Sequence, residues 1–440
     1  MDKPVVAIVR YEKPLESVRR AVDLSHGLDA LRPGSRVFIK PNIVFWTRAV
    51  SFPKWGVITT SRVVEDLVIV LKERGINDIT IGEGTVTLTP GDNETIAHAF
   101  TSLGYETLLT RYGVKHINVF TRPFETVNLG DGVTLNFNAD ILHSDFVVDL
   151  PVLKTHAQTV VSLGIKNLKG TIDINSRKRC HAADPVFDLN YMISKLADPM
   201  PPIFTLLDGI YTNERGPSFD GRIRRSNILA ASSDILSVDK VGAMILGYEP
   251  GHVPHLVHAA HARQRTLDLS DVTLVGEALE SVAARHEFDF PYDESGSLPR
   301  FLTKMGIQGL AYPKYDLSLC TYCSGLNGVV LAAIAQAWAG TPFDDVEVLT
   351  GKRMKPSPGK KKTILLGKCM VRANRNNPEI NEVIEVKGCP PPPGAIVKAL
   401  HRAGIMAPKE IFEQIDQVPG LFFGRYAGKP EFEELHFQVN

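Results

Sequence analysis

Short runs rich in β-branched residues alternate with longer amphipathic stretches along most of this chain, and nothing else restricts its fold as strongly. "VVAIV" is followed by "LESVRRAVDLSHGL", "RVFIK" by "SRVVEDLVIVLKERG", and "DITIG" by "DNETIAHAFTSLG". A strand followed by a helix pairs readily with a parallel neighbour, because the helix supplies the crossover that parallel strands need. The pattern therefore predicts βαβ units and largely parallel sheets. Thr60 and Ser61 stand where the second helix would start, and the glycine of "ERGI" where it would stop. Further strands are expected at Phe146–Leu150, Ile203–Leu207, Asn227–Ala231 and Asp271–Val275.

At 440 residues the chain is too long for one ordinary core. The rhythm weakens around "YDESGSLPRFL" and then resumes with the helix "LNGVVLAAIAQAWAG", the strands "VEVLTG", "KTILLG" and "VIEVKG", and the helix "PGAIVKALHRAG". We therefore expect an N-terminal α/β domain over residues 1–286, a connecting segment over 287–315 and a C-terminal α/β region over 316–440. The fold class is α/β: two Rossmann-like regions with largely parallel sheets and an interdomain cleft. Lys plus Arg and Asp plus Glu are equal at 49 each, so no global field draws the chain to nucleic acid or an anionic membrane. The longest apolar tract, Gly328 to Gly340, falls short of the roughly 20 residues that span a bilayer. The N-terminus lacks the basic start and apolar core of an export signal, and a cytoplasmic location is expected. The oligomeric state is open. The basic run "GKRMKPSPGKKK" is expected to be a solvated loop.

Five cysteines are too few to staple a chain of this size, so metal or redox chemistry is the better reading. Cys320 and Cys323 form "CTYC", Cys369 stands in "LLGKCMVR" and Cys389 in "VKGCPPPPG". The last two lie just past predicted strands, whose carboxyl ends converge in a parallel sheet. Cys320, Cys323, Cys369 and Cys389 are therefore expected to share one metal site. Soft thiolates select iron–sulfur or zinc. Structural zinc normally pairs two Cys-x-x-Cys knuckles, and this chain has one, so a [4Fe-4S] cluster is preferred. Zinc and unligated core thiols are the alternatives. Cys180, with no partner nearby in sequence, is left outside the site.

The stretch "LPVLKTHAQTVVSLGIKNLKGTI" carries Lys154, His156, Lys166 and Lys169 and no acid, just after a predicted strand. Ligands bind beyond the carboxyl ends of strands in such sheets. Lysine ammonium groups hold phosphate or carboxylate as point charges, and a desolvated lysine can act as nucleophile or base. An imidazole titrates near working pH. His156 and Lys166 are the catalytic candidates. Lys40 and Asn42 in "IKPNIV", Glu83 in "IGEGT", Asp208 in "LLDGIYTNERGP", and Lys154, Asn167, Lys169 and His181 are the candidates for binding a small anionic substrate. His181 belongs to "NSRKRCHAADPVFDLN", either a lid or an exposed loop.

"IKPNIV", "IGEG", "DFVVDLPVLKTH", "VSLGIKNLKG", "LLDGIYTNERGP" and "SSDILSVDKVGAMILG" resemble successive blocks of the family catalogued as domain of unknown function 362, from about Val5 to Pro250. That resemblance implies an association with iron–sulfur proteins. The chain is more distantly similar to the nickel-pincer lactate racemase fold. There a histidine, a cofactor-bearing lysine ten residues on and a later histidine line an interdomain cleft, and His156, Lys166 and His181 fall in that order here. The racemase's earlier histidine has no counterpart, "GEGT" standing in its place. The likeness supports the cleft more than nickel or a covalent cofactor at Lys166.

Three functions are in view. The first is an iron–sulfur-dependent oxidoreductase or lyase acting on a small anion, with the cluster as Lewis acid or electron donor. The second is a non-catalytic or electron-relaying protein that docks a redox partner. The third is a lactate-racemase-like isomerase.

Overall fold

Val63, Val64, Leu67, Val68 and Leu71 recur at helical spacing, and the helix Ser61–Glu73 that carries them is buried along most of its length. It ends at Arg74, followed by Gly75 in the left-handed region that L side chains disfavour. Its apolar residues share one core with Val37, Ile39, Ile79, Ile81 and Val148. Each fully buried branched side chain of this kind contributes about 1.5–3 kcal/mol, so this layer is a main source of the fold's stability.

The computed structural model describes residues 3–86 and 91–440. They form two compact units: Met1–Ser176, Asn190–Asp289 and Pro419–Asn440 in the first, Arg177–Leu189 and Phe290–Val418 in the second. Compactness thus divides the chain differently from the three consecutive stretches expected. Residues 177–189 leave the N-terminal region, and 419–440 leave the C-terminal one.

The first unit contains β1 (Val5–Arg10), β2 (Arg36–Pro41), β3 (Asp78–Glu83), β4 (Lys115–Asn118), β5 (Phe124–Asn128), β6 (Thr134–Asn138), β7 (Phe146–Leu150), β8 (Val152–His156), β9 (Val160–Val161), β10 (Ile203–Glu214), β11 (Arg222–Ser232) and β12 (Thr273–Gly276). The main path of its sheet runs β12-β1-β11-β10-β7-β2-β3-β4, with β8 paired to β10 and β9 to β8. β5 and β6 form a separate hairpin. The contacts of β12 with β1 and of β10, β7, β2, β3 and β4 in succession are parallel. β11 runs antiparallel to both its neighbours, since β10 and β11 follow each other as a hairpin.

Two strands differ from expectation. Pro151 has no N–H to continue a ladder, and the chain restarts at once as β8, pairing Val152 with Asp208 and Lys154 with Asn213 of β10. Lys154 and His156 therefore lie on a strand. β10 does not stop at Leu207 but continues to Glu214, which puts Asp208 mid-strand, beside a register shift between Gly209 and Tyr211.

The C-terminal residues complete the first unit. Phe423, Phe432 and Phe437 pack on Trp55, their ring centroids 5.6, 5.7 and 6.5 Å away. Trp55 is fully buried. The Tyr426 hydroxyl accepts the N–H of Ile223 at 3.1 Å.

The second unit has an all-parallel sheet of β13 (Leu310–Ala311), β14 (Val346–Leu349), β15 (Lys362–Leu366) and β16 (Glu382–Val386), in that order. The expected connector supplies the edge strand β13 and a short helix, Arg300–Lys304. The apolar helix Thr321–Gln336 is the crossover between β13 and β14. Both regions are thus α/β with largely parallel sheets, as the alternation implied.

Candidate functional site

β2, β3 and β7 are parallel neighbours, so their carboxyl ends bring Lys40, Glu83 and Asp149 together, Lys40 standing in register with Asp149. Lys40 Nζ donates to Glu83 Oε2 at 2.5 Å and Pro41 O at 2.6 Å, with Asn167 Oδ1 at 3.5 Å. Asn167 Nδ2 donates to Asp149 Oδ1 at 2.8 Å and to Lys40 O at 3.2 Å. Asn42 Nδ2 donates to Asn167 Oδ1 at 2.8 Å, and Lys154 Nζ donates to Asn42 Oδ1 at 2.7 Å and Val57 O at 2.8 Å. All six side chains are buried.

The two buried lysines differ chemically. Lys40 faces three acceptors, one of them a carboxylate, and so suits an ammonium with three donors. Lys154 faces two neutral acceptors, which an uncharged amine also satisfies. Burial lowers Lys154 to about 7, the charge of Lys40 acting the same way and Glu83 opposing. Burial raises Asp149 well above the usual carboxyl range, against the hydrogen bond from Asn167. Among the described residues its Oδ2 has no hydrogen-bond partner.

The donors of Lys40 and Lys154 thus point at protein acceptors, and the pair frames the site. Lys166, in the helix Leu163–Asn167, and Lys169, in the 3-10 turn Leu168–Thr171, are half-buried. His156 ends β8, and its Nδ1 accepts the N–H of Gln158 at 3.1 Å. A neutral imidazole so placed carries its proton on Nε2, which can donate a hydrogen bond. Asp208 holds backbone instead, accepting from Thr60 N at 2.7 Å and Ile210 N at 3.1 Å.

Two acids escaped the sequence reading. Asp149 and Asp239 each interrupt an apolar run, "FVVDLP" and "SVDKVGAMI", and that interruption is their signal. Asp239 accepts the N–H groups of Gly164 and Ile165 at 2.7 and 2.8 Å, capping the lysine-bearing helix from a distant element. Burial raises it to about 7. Leu163, just before, has φ of 60°, a conformation that a leucine holds only when its surroundings impose it. Gly170 closes the site from the other side. A Cβ there would lie 2.4 Å from Lys40 Cε and 2.8 Å from Glu83 Oε1.

In the second unit, Cys320 is the N-cap of the helix Thr321–Gln336 and Cys323 lies in its first turn. Cys369 opens the helix Lys368–Asn374 after β15, and Cys389 follows β16. Lys368 N donates to Gly388 O at 2.9 Å, joining those two loops. A Cβ on Gly367 would lie 3.6 Å from Cys323 Sγ. The hydrogen bond with Cys320 and burial push the Cys323 thiol up, and the charges of Cys320, Cys389 and Cys369 add to this. Burial also raises Cys369, with Cys320 and Cys389 reinforcing it and Lys352 opposing. Cys320, Cys369 and Cys389 thus all act on Cys323. The hydrogen bond from Cys323 draws Cys320 down to about 5, helped by the backbone N–H groups of Cys323 and Tyr322 and by Lys352. Cys320 is buried, Cys323 half-buried, and Cys369 and Cys389 exposed. Cys180 is buried at the end of the helix Ile174–Cys180. Among the described residues, no three His, Cys, Asp or Glu side chains are grouped to hold a single metal ion.

Lys352 belongs to the basic run expected to be a solvated loop. It is instead tied down, its Nζ donating to the carbonyls of Lys178, at 3.0 Å, and His181. His181 Nδ1 bonds Leu317 O at 2.9 Å, and Lys178 Nζ lies 4.9 Å from the centroid of the Tyr322 ring. The Arg177–Leu189 segment is thus part of the second unit. His156 and Lys166 are in the first unit and His181 in the second.

Residues 37–244 match the family model described as Domain of unknown function (DUF362). The DUF362 span runs from β2 into the helix Ile235–Ile245, and so takes in Lys40, Glu83, Asp149, Lys154, His156, Lys166 and Asp239 but none of Cys320, Cys323, Cys369 and Cys389. A thylakoid-associated protein, sll1697, of Synechocystis sp. is 27% identical over 244 residues, which cover 54% of this chain and 72% of that protein. The lactate racemase apoprotein from Thermoanaerobacterium thermosaccharolyticum is similar in structure at 15% identity and a TM-score of 0.31, covering 53% of this chain and 55% of that one. Among the described residues, no helix is long and apolar enough to cross a membrane.

Proposed function

We propose that this chain is a redox-active iron–sulfur protein, with a [4Fe-4S] cluster on Cys320, Cys323, Cys369 and Cys389 and a small-anion site at the strand ends of its first unit. The reading is supported by the positions of the four cysteines in the second unit, two at the start of the helix Thr321–Gln336 and one just after each of β15 and β16. Such a cluster, with a cysteine on every iron, supplies one-electron chemistry. The chain's own part is to offer Cys320 as a ready thiolate and to hold the Lys352 ammonium near the anionic ligands, fixed by two carbonyls. A single zinc ion, with Zn–S bonds of about 2.3 Å, would draw its thiolates into one tight group. This chain has one Cys-x-x-Cys and two cysteines on separate strand ends, not the two knuckles usual for structural zinc, and a cluster is therefore preferred.

In the first unit the half-buried Lys166 and Lys169 are the cations proposed to meet the anion, and His156 Nε2–H is the proposed proton donor. The framework of Lys40, Glu83, Asn42, Asn167 and Lys154 would hold that segment in place. An oxidoreductase or lyase acting on a small anion fits this division of labour. Exposure of Cys369 and Cys389 also favours electron exchange with another protein.

Anaerobic purification with metal and sulfide analysis tests the proposal. About four iron and four sulfide per chain are expected. Alanine at any of the four cysteines should abolish the brown absorbance, and Cys180→Ala should leave it. One bound zinc and no sulfide would overturn the reading.

A further inference from the structure

We infer that the carboxyl edge of the second sheet is a docking face for an acidic electron-carrier protein. The inference rests on the iron–sulfur reading and adds the partner. Each of three strand ends sets a glycine beside a lysine: Gly351 and Lys352 after β14, Gly367 and Lys368 after β15, and Gly388 and Lys387 after β16, of which Lys352 is bound to backbone carbonyls and Lys368 and Lys387 are the exposed cations. All three glycines have positive φ, at 90°, 97° and 143°, so the chain turns sharply at each strand end beside a lysine. Lys368 precedes Cys369 directly, and Arg372 lies one turn further along the same helix face. Both are exposed. Beside Cys389, Lys387 has a side chain 65% exposed. Glu385 stands among these cations, held 3.3 Å from Arg375 and 2.8 Å from Lys387, and Asp316 stands at the β14 end, its Oδ1 3.5 Å from where a Cβ on Gly351 would lie.

The two exposed thiols, Cys369 and Cys389, sit inside this basic rim. A centre on the four cysteines thus comes nearest the surface where positive charge is concentrated, in a chain whose formal net charge is zero. A basic patch on a neutral protein steers partners of opposite charge and raises their encounter rate, an effect that salt removes. Small acidic iron–sulfur carriers are the class that fits. In the transfer, one electron leaves the carrier's reduced centre and enters the cysteine-bound centre. No bond is made or broken, and no proton moves.

The test uses a reduced [2Fe-2S] ferredoxin as probe, with full-length protein purified anaerobically. Stopped-flow mixing should give a second-order rate that falls about tenfold or more as salt rises from low to near-molar concentration. Arg372→Glu, and Lys368→Glu with Arg372→Glu, should slow the low-salt rate by a similar factor and release the protein from immobilised ferredoxin, while iron content and the dithionite-reduced EPR signal stay unchanged. A rate indifferent to salt and to charge reversal, with iron and signal intact, would overturn the docking face alone. Absence of iron and of the signal in the unmodified protein would overturn the cluster, and the docking face with it.

Discussion

Lys40 and Lys154 occupy neighbouring buried positions, yet a carboxylate stands beside Lys40 and neutral oxygens beside Lys154. The sequence placed both at strand ends but read them as anion ligands. What it lacked was the count of internal acceptors, which depends on Asn42, Val57 and Asn167 arriving from elsewhere in the fold. The lowered value of Lys154 has a thermodynamic consequence. Between about pH 7 and the ordinary lysine value near 10.4, the unfolded chain holds a proton that the folded chain does not, so Lys154 makes stability rise with pH across that window. Urea midpoints at pH 7.5 and 9.5 should therefore increase more for the unmodified protein than for Lys154→Met. Parallel changes in the two would show that Lys154 is charged in the fold. Gly170 is constrained by space. Gly170→Ala should lower stability by about 1–3 kcal/mol, since the buried Lys40–Glu83 pair has no solvent into which to retreat. An unchanged melting temperature would contradict this close approach.

At the level of elements, the alternation of runs made most parallel strands legible, because each is a short apolar segment bounded by polar turns. β8 was not legible. Pro151 reads as the end of a strand, and only the three-dimensional neighbour β10 lets pairing resume one residue later. The far half of β10 was hidden for a similar reason, "DGIYTNE" being polar enough to pass for a loop although it is buried within the sheet. The helix Leu163–Asn167 and the 3-10 turn after it separate Lys166 from Lys169, so the two ammonium groups leave different elements. Of the two, Lys166 follows the Asp239-capped helix start, and Lys166→Met should reduce anion binding or turnover at least about tenfold more than Lys169→Met, equivalent to roughly 1.4 kcal/mol. Titration calorimetry with small carboxylates and phosphates would check it. A larger loss in Lys169→Met would reverse the assignment.

Across the whole molecule, the family resemblance read from the sequence agrees with the DUF362 span, but the membership of the two units was not legible. Nothing local in "GLFFGRYAGKPEFEELHFQ" says which core its aromatic residues will join; that is fixed by long-range packing on Trp55 and Tyr211. Phe432 stacks on Tyr211 at 5.8 Å and meets Tyr426 at 4.8 Å. Phe432→Ala should therefore lower stability by about 3–5 kcal/mol and shift tryptophan emission to the red as Trp55 gains water. Unaltered emission and urea midpoint would show the contact to be dispensable. The return of the chain to its first unit also fixes an order of events on the ribosome. Translation delivers every residue of the cysteine-bearing unit before the aromatic side chains that cover Trp55 emerge, so the unit begun first is the last to close.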